Sequence, residues 1–354
     1  MNDQTGNKVP QLPQDPRRPE DVRGAGNAPQ GMTPYAPAVP VVKPLPFWAG
    51  IVWCVAAGAC AGLSPLIAPL FAGFGFALLV GNGGVRESVL ASACLILPAI
   101  ATSLLFKATG YEDSVFACIA GIVGADLYLR NKLTPGTACM AVAVLGTVLL
   151  VSSELVARAM GTSMATLVDG VLASYQEAFG ATSMDMRLVF EQMRGIVASI
   201  WPTAFYMIAF GGFVLAQLGA FVAAKRQRID LGTRVPFTQF DLPLWVVALL
   251  IVALVLLAFS RALPAFEGII TMVGGTLLGT LRLAFATQGF ACLSWFRSTK
   301  RLQGIVGLII TVVAAYLEFN LFVLTIVGIL DVWVNFRRLP RGVKVTVQDS
   351  TDRS

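Results

Sequence analysis

The sequence predicts an all-α, polytopic transmembrane helical bundle of about ten spans, with both termini in the cytoplasm. Three observations lead there. Of 354 residues, 56% are hydrophobic and only 13% are charged, against about 25% charged in soluble domains. Apolar runs recur from Phe47 onward with short polar breaks. Basic residues cluster after every second run, as expected for loops held on the cytoplasmic side.

Residues 1–46 hold ten of the nineteen prolines and too little apolar surface to offset the entropy of ordering. They read as a disordered Pro-rich cytoplasmic tail. They lack the short apolar core and small-residue cleavage site of a secretory signal. The first two runs are Phe47 to Ser64 and Pro65 to Val80, which Pro65 and Pro69 make a kinked or hairpin pair. The third to fifth are Val89 to Phe106, Val115 to Leu129 and Ala138 to Ala157. The sixth is Ile196 to Ala224, the seventh Leu242 to Ser260, and the eighth lies within Gly268 to Phe296. Ile305 to Leu317 and Leu321 to Phe336 close the series, and residues 337–354 form a basic cytoplasmic tail. A span takes about 20 apolar residues, and several runs are shorter, so the expected count is about eight to ten.

Loop charges give the orientation. Arg130 and Lys132 follow the fourth run. Lys225, Arg226, Arg228 and Arg234 follow the sixth, and Arg297, Lys300 and Arg301 the eighth. Arg337, Arg338, Arg341 and Lys344 follow the tenth. The other loops are poor in basic residues or mixed, as with Lys107 beside Glu112 and Asp113, or Arg261 beside Glu267. With the N-terminus inside, every basic cluster is cytoplasmic. The net charge of +6 then reflects membrane topology, and no nucleic-acid partner is expected.

The long outer loop, about 158–195, carries Leu167, Val168, Val171, Leu172, Tyr175 and Phe179 at helical spacing. Thr182 and Asp185 resemble a capping box for a second helix, whose apolar face continues through Leu188, Val189, Met193 and Ile196. Two readings stand: a helical cap on the outer membrane surface, or a lid over an outward-facing pocket.

Several chemistries are excluded. The chain has no histidine, so Ser-His-Asp and HExxH sites are impossible. The six cysteines, Cys54, Cys60, Cys94, Cys118, Cys139 and Cys292, sit in apolar runs without a CxxC pair and read as small buried apolar residues. No metal, cofactor or catalytic residue is expected. Gly81-Asn82-Gly83-Gly84 lacks the Lys-Ser/Thr of a phosphate loop and reads as a tight turn. Gly212, Ala216 and Ala220, and Gly275 with Gly279, form small-residue stripes for close helix packing.

Phe240-Asp241-Leu242-Pro243-Leu244-Trp245, then Leu281-Arg282 and Gln288-Gly289, then Gly328-Ile329-Leu330-Asp331-Val332-Trp333-Val334-Asn335-Phe336-Arg337 recur in a fixed order. Together with Leu127-Tyr128-Leu129-Arg130-Asn131-Lys132-Leu133-Thr134-Pro135-Gly136 they resemble the YybS-like family of uncharacterised bacterial integral membrane proteins, over about residues 50–340. That family is distantly similar to the substrate-binding S components of energy-coupling-factor transporters. The resemblance implies a transport-related, small-molecule-binding subunit of the cytoplasmic membrane, in contact with lipid and with a membrane or ATPase partner subunit. A non-transporting envelope scaffold is the alternative.

Arg282, Gln288 and Asp331 are the candidate substrate-binding residues. A mid-helix Arg costs roughly 2.5–3.5 kcal/mol in lipid, so Arg282 either binds an anion, pairs with a buried acid or snorkels. Gln288, six residues on, faces elsewhere. Asp331 has Arg337 and Arg338 within reach. Glu154 with Arg158 and Asp126 with Arg130 are i,i+4 helix pairs. Glu318 and Asn320 fall at an outer turn and are expected to be solvated.

Overall fold

The computed structural model describes residues 45–81, 83–106, 110–178, 184–229, 231, 235–302 and 304–339, except the side chains of 184–187. The Pro-rich tail to residue 44, the basic tail from residue 340, and Lys107, Phe179, Thr182, Arg234, Arg341 and Lys344 lie outside them, as does the side chain of Asp185.

The described chain is all-helical. Each of the ten apolar runs becomes a helix: α1 (Phe47–Leu63), α2 (Ala68–Val80), α3 (Val85–Phe106), α4 (Tyr111–Leu129), α5 (Pro135–Ala159), α8 (Thr203–Gln227), α9 (Leu244–Phe259), α10 (Glu267–Thr299), α11 (Gly304–Leu321) and α12 (Val323–Val334). The outer loop supplies α6 (Met164–Ala178) and α7 (Met184–Ile200). Proline opens several of them: Pro69 and Pro135 occupy the first turns of α2 and α5, while Pro202 and Pro243 immediately precede α8 and α9. Its fixed φ suits a first turn, where the missing N–H is not needed. At α5 the Thr134 hydroxyl accepts from the Thr137 N–H at 3.2 Å, closing a capping box.

Two expected boundaries need correction. The sixth run does not continue unbroken from Ile196, because Pro202 interrupts the ladder and α7 ends at Ile200. The eighth is one 33-residue helix starting at Glu267, about 50 Å long at 1.5 Å per residue.

Among the described residues, six helices are long and apolar enough to cross a membrane: α3, α5, α8, α9 with its short 3₁₀ extension, α10 and α11. The shortfall against ten has a physical cause. Helices α1, α2 and α12 have 17, 13 and 12 residues, about 18–26 Å against a hydrocarbon core of about 30 Å. Helix α4 is long enough but carries Glu112, Asp113 and Asp126.

The helices pack as two groups. In one, α2 is central, touching α1, α3, α4 and α8, with α5 outside α8. In the other, α10 is central, against α9 and α12, with α11 on its flank. Helix α8 joins them by touching α10. Small residues permit these approaches. A Cβ on Gly73 would strike the Ala216 carbonyl, and one on Gly219 the Leu70 carbonyl. Gly289 and Gly328 stand in the same relation to Leu324 and Phe285 across α10 and α12. Both stripes noted in the sequence lie at crossings, Ala216 and Ala220 fully buried and Gly275 against the Ser199 carbonyl at the end of α7.

These contacts also give direction. Gly212 meets Pro69, and the Gln227 side chain donates to the Leu78 carbonyl, so α2 and α8 run parallel. Ala120 near Gly212 and Gly124 near Ala216 align α4 with them. Arg282 reaches Phe322 while Gln288 reaches Asp331, which makes α10 parallel to α12. The basic residues after α4, α8, α10 and α12 therefore gather at one end of the bundle. Helices α6 and α7 occupy the other.

Candidate functional site

Helix α10 presents three faces, and each meets a different environment. The first lines a cavity of about 1110 Å³ between the two groups, bounded by α5, α8, α9, α10 and the segment before α9. Along α10 the lining runs from Met272 to Thr287, and along α5 from Pro135 to Leu150. Either stretch is about 22 Å long at 1.5 Å per residue, most of the depth of a bilayer core. The lining holds aromatic and aliphatic side chains, threonines, tyrosines, Asn131, Gln217 and Gln239, but no ionisable acid or base apart from phenols and a thiol. Thr147 Oγ1 and Tyr206 Oη lie 3.1 Å apart across α5 and α8.

The second face carries Arg282. Its Nε lies 3.4 Å from Glu318 Oε1, and its Nη2 donates to the Glu318 carbonyl at 3.0 Å. The guanidinium stacks 3.9 Å over the Phe322 ring. Glu318 is not solvated, contrary to expectation; it is buried at 7% exposure. The α11–α12 turn explains this. Phe322 adopts a left-handed φ of 55°, which folds α12 back so that Thr325 donates to Glu318 from its N–H at 2.9 Å and its hydroxyl at 2.6 Å. Asn320 is exposed, as expected. Arg282 borders a second cavity of about 850 Å³, walled by α7, α9, α10 and α12.

The third face carries Gln288, fully buried. Its Nε2 donates to Asp331 Oδ2 at 2.8 Å and to Asp241 Oδ1 at 3.2 Å, and its Oε1 accepts from the Leu242 N–H at 3.2 Å. Arg337 completes the cluster. Its Nε and Nη2 reach Asp331 Oδ2 at 3.1 and 2.8 Å, while Nη1 and Nη2 donate to the Thr238 and Phe240 carbonyls, each at 2.7 Å. The Cys292 thiol reaches the same carboxylate. The cluster ties the end of α12 to the segment entering α9.

The structure thus joins Gln288 to Asp331 and separates both from Arg282. Six residues along α10 turn a side chain through about 240°, so this separation was readable from register. The pairing of Arg282 with Glu318 was not, because it depends on the fold-back at Phe322. Sequence reasoning also missed Tyr206, Thr147, Thr276 and Thr280 on the large cavity. Isolated hydroxyls in apolar helices carry no signal until the helices are placed.

The surface pairs Arg130–Asp126 and Arg158–Glu154 form as expected, each at 2.7 Å. In the α6–α7 hairpin, Arg194 Nε lies 3.1 Å from Asp169 Oδ1, and this guanidinium holds the Asp169 carboxyl below its ordinary range. The cysteines are all free, and among the described residues no group of three acidic or thiol side chains could hold a metal.

A family model described as "Predicted membrane protein (DUF2232)" matches residues 67–332, from the loop before α2 into α12. No curated protein and no solved structure matches the chain.

Proposed function

Given that the chain belongs to the family of predicted membrane proteins DUF2232, we propose that it is a membrane-embedded binding subunit for a small amphiphilic molecule, housed in the large cavity between its two helix groups. The cavity itself carries this reading. It is of a size that accepts a small molecule, and it runs lengthwise through the apolar zone. Its walls offer hydroxyls and amides but no formal charge, so an occupant would be neutral along its body and directed by hydrogen bonds. The charges of the C-terminal half lie outside this cavity, Asp331 paired with Arg337 and Arg282 set beside Glu318. The protein would bind rather than catalyse.

The basic end of the bundle would face the cytoplasm and α6–α7 the outside, with α1, α2, α4 and α12 completing ten apolar helices across or within a cytoplasmic membrane. The sequence has no nucleotide-binding motif, so any transport would draw energy from a partner subunit or an ion gradient. This is the arrangement that the resemblance to S components implies. A scaffold role is the second reading, favoured by α11. Among the described elements that helix packs mainly on α12 and α10, and it leaves Ile305, Leu308, Val312 and Phe319 exposed.

Native mass spectrometry and lipid analysis of the full chain, extracted gently from membranes, test the reading. A stoichiometric amphiphilic ligand is expected on the wild type and should be lost from Ala143→Phe and Ala284→Phe, which fill the cavity. A wild type free of ligand, or ligand retained by both filled variants, would refute it. Co-purification of other membrane proteins that depended on α11 would favour the scaffold.

A further inference from the structure

We infer that the second cavity is a separate binding site for a small monocarboxylate with an apolar body, its carboxylate taken by Arg282. This goes beyond the neutral site between the helix groups and does not rest on it.

The first support is how Arg282 is used. Its only carboxylate contact among the described residues is long, 3.4 Å from Nε to Glu318 Oε1. Its side chain remains 38% exposed, and Nη1 has no hydrogen-bond partner among the described residues. Glu318, in contrast, already accepts two short hydrogen bonds from Thr325. A guanidinium present only to neutralise Glu318 would close on it as a bidentate fork. Here one edge and the ring-stacked face are held while the outer edge stays open. Phe322 holds that pose in a left-handed backbone conformation that a bulky residue adopts only when its surroundings enforce it.

The second support is the cavity's chemistry. Its ionisable lining residues are Arg282 and Glu191, and Glu191 is exposed on α7. Around Arg282 stand Leu278, Phe285, Phe322 and Ile329, an apolar wall for a hydrocarbon body. The α10 lining runs along one face from Thr271 through Gly275, Leu278 and Arg282 to Phe285, about 21 Å at 1.5 Å per residue. One cation beside an apolar wall suits a single negative charge on a hydrophobic body. The acid on α7 disfavours a second charge. Helix α7 walls the outer part of the cavity, so an acid would enter past the α6–α7 hairpin, as a lid over an outward-facing pocket requires.

Equilibrium dialysis of radiolabelled octanoate against the full chain in phosphatidylcholine nanodiscs provides the test, with octanol as the uncharged control. Octanoate should bind at least about tenfold more tightly than octanol, from one charge-assisted fork. Arg282→Gln should abolish that preference, and Arg282→Lys should retain only part of it, since an ammonium cannot present the fork. Glu318→Gln should tighten octanoate binding by removing the competing charge. Equal binding of octanoate and octanol to the wild type would overturn the proposal, as would a charge preference that survives in Arg282→Gln. Octanoate binding that vanishes in phosphatidylglycerol nanodiscs would assign the site to an anionic lipid headgroup and also overturn it. If Arg282→Gln does not fold, the octanol comparison and Glu318→Gln decide.

Discussion

Replacing Arg337 by Ala should destabilise the protein more than any other single change in its charged residues. The side chain is fully buried against Asp331. It makes four hydrogen bonds, two to Asp331 Oδ2 and one each to the Thr238 and Phe240 carbonyls. Truncation leaves a buried carboxylate without its counter-charge and removes a donor from each of two carbonyls. Breaking a buried ion pair from one side costs about 3–5 kcal/mol. The neutral partners Gln288 and Cys292 soften this, so the lower half of that range is expected. Arg337→Lys keeps the charge but not the fork and should lose about half as much. Pairing Arg337→Gln with Asp331→Asn should recover a substantial part, because no uncompensated charge then remains. Tryptophan fluorescence during thermal and denaturant unfolding in detergent gives the values. A loss below about 1 kcal/mol for Arg337→Ala, the range of exposed pairs, would mean that water reaches the cluster and that it is no dry lock between α12 and α9.

Gly328→Val and Gly289→Val should each destabilise by about 1–3 kcal/mol or more through overpacking, because the added carbons meet the Phe285 and Leu324 carbonyls; Gly170→Ala, whose Cβ would meet nothing within 4 Å, serves as the control in the same melts. The Asp169 carboxyl is held below its ordinary value of 3.8 by Arg194, so its contribution to the α6–α7 hairpin is complete above that value and is lost as pH falls through the lowered one. Hydrogen exchange in α6, corrected for its intrinsic pH dependence, should speed up over that acid window in the wild type and show no such step in Asp169→Asn. With the basic end inside, Ser174→Cys should react with a membrane-impermeant maleimide in intact cells, while Lys300→Cys should react only after lysis; the reverse pattern would invert the topology.

The sequence by itself determined the class of molecule, the ten apolar helices and the segregation of basic residues to alternate loops. Each is a local matter. Burial in lipid demands apolar composition, helices follow from the need to satisfy every backbone group within the segment, and insertion reads charge loop by loop. It also showed that Arg282 and Gln288 face apart, since register along one helix is arithmetic. What only the tertiary structure decided is which groups meet. Gly289 and Gly328 let α10 and α12 approach until Gln288 meets Asp331. The turn at Phe322 brings Thr325 onto Glu318, and the packing of α12 on α10 sets Arg282 beside it, burying an acid that its place at a helix end made look solvated. The lengthwise cavity exists only because α8 joins two groups of helices that leave α5 and α9 apart. Threonines and tyrosines spaced along four separate helices become one lining there, and nothing in their order along the chain records it.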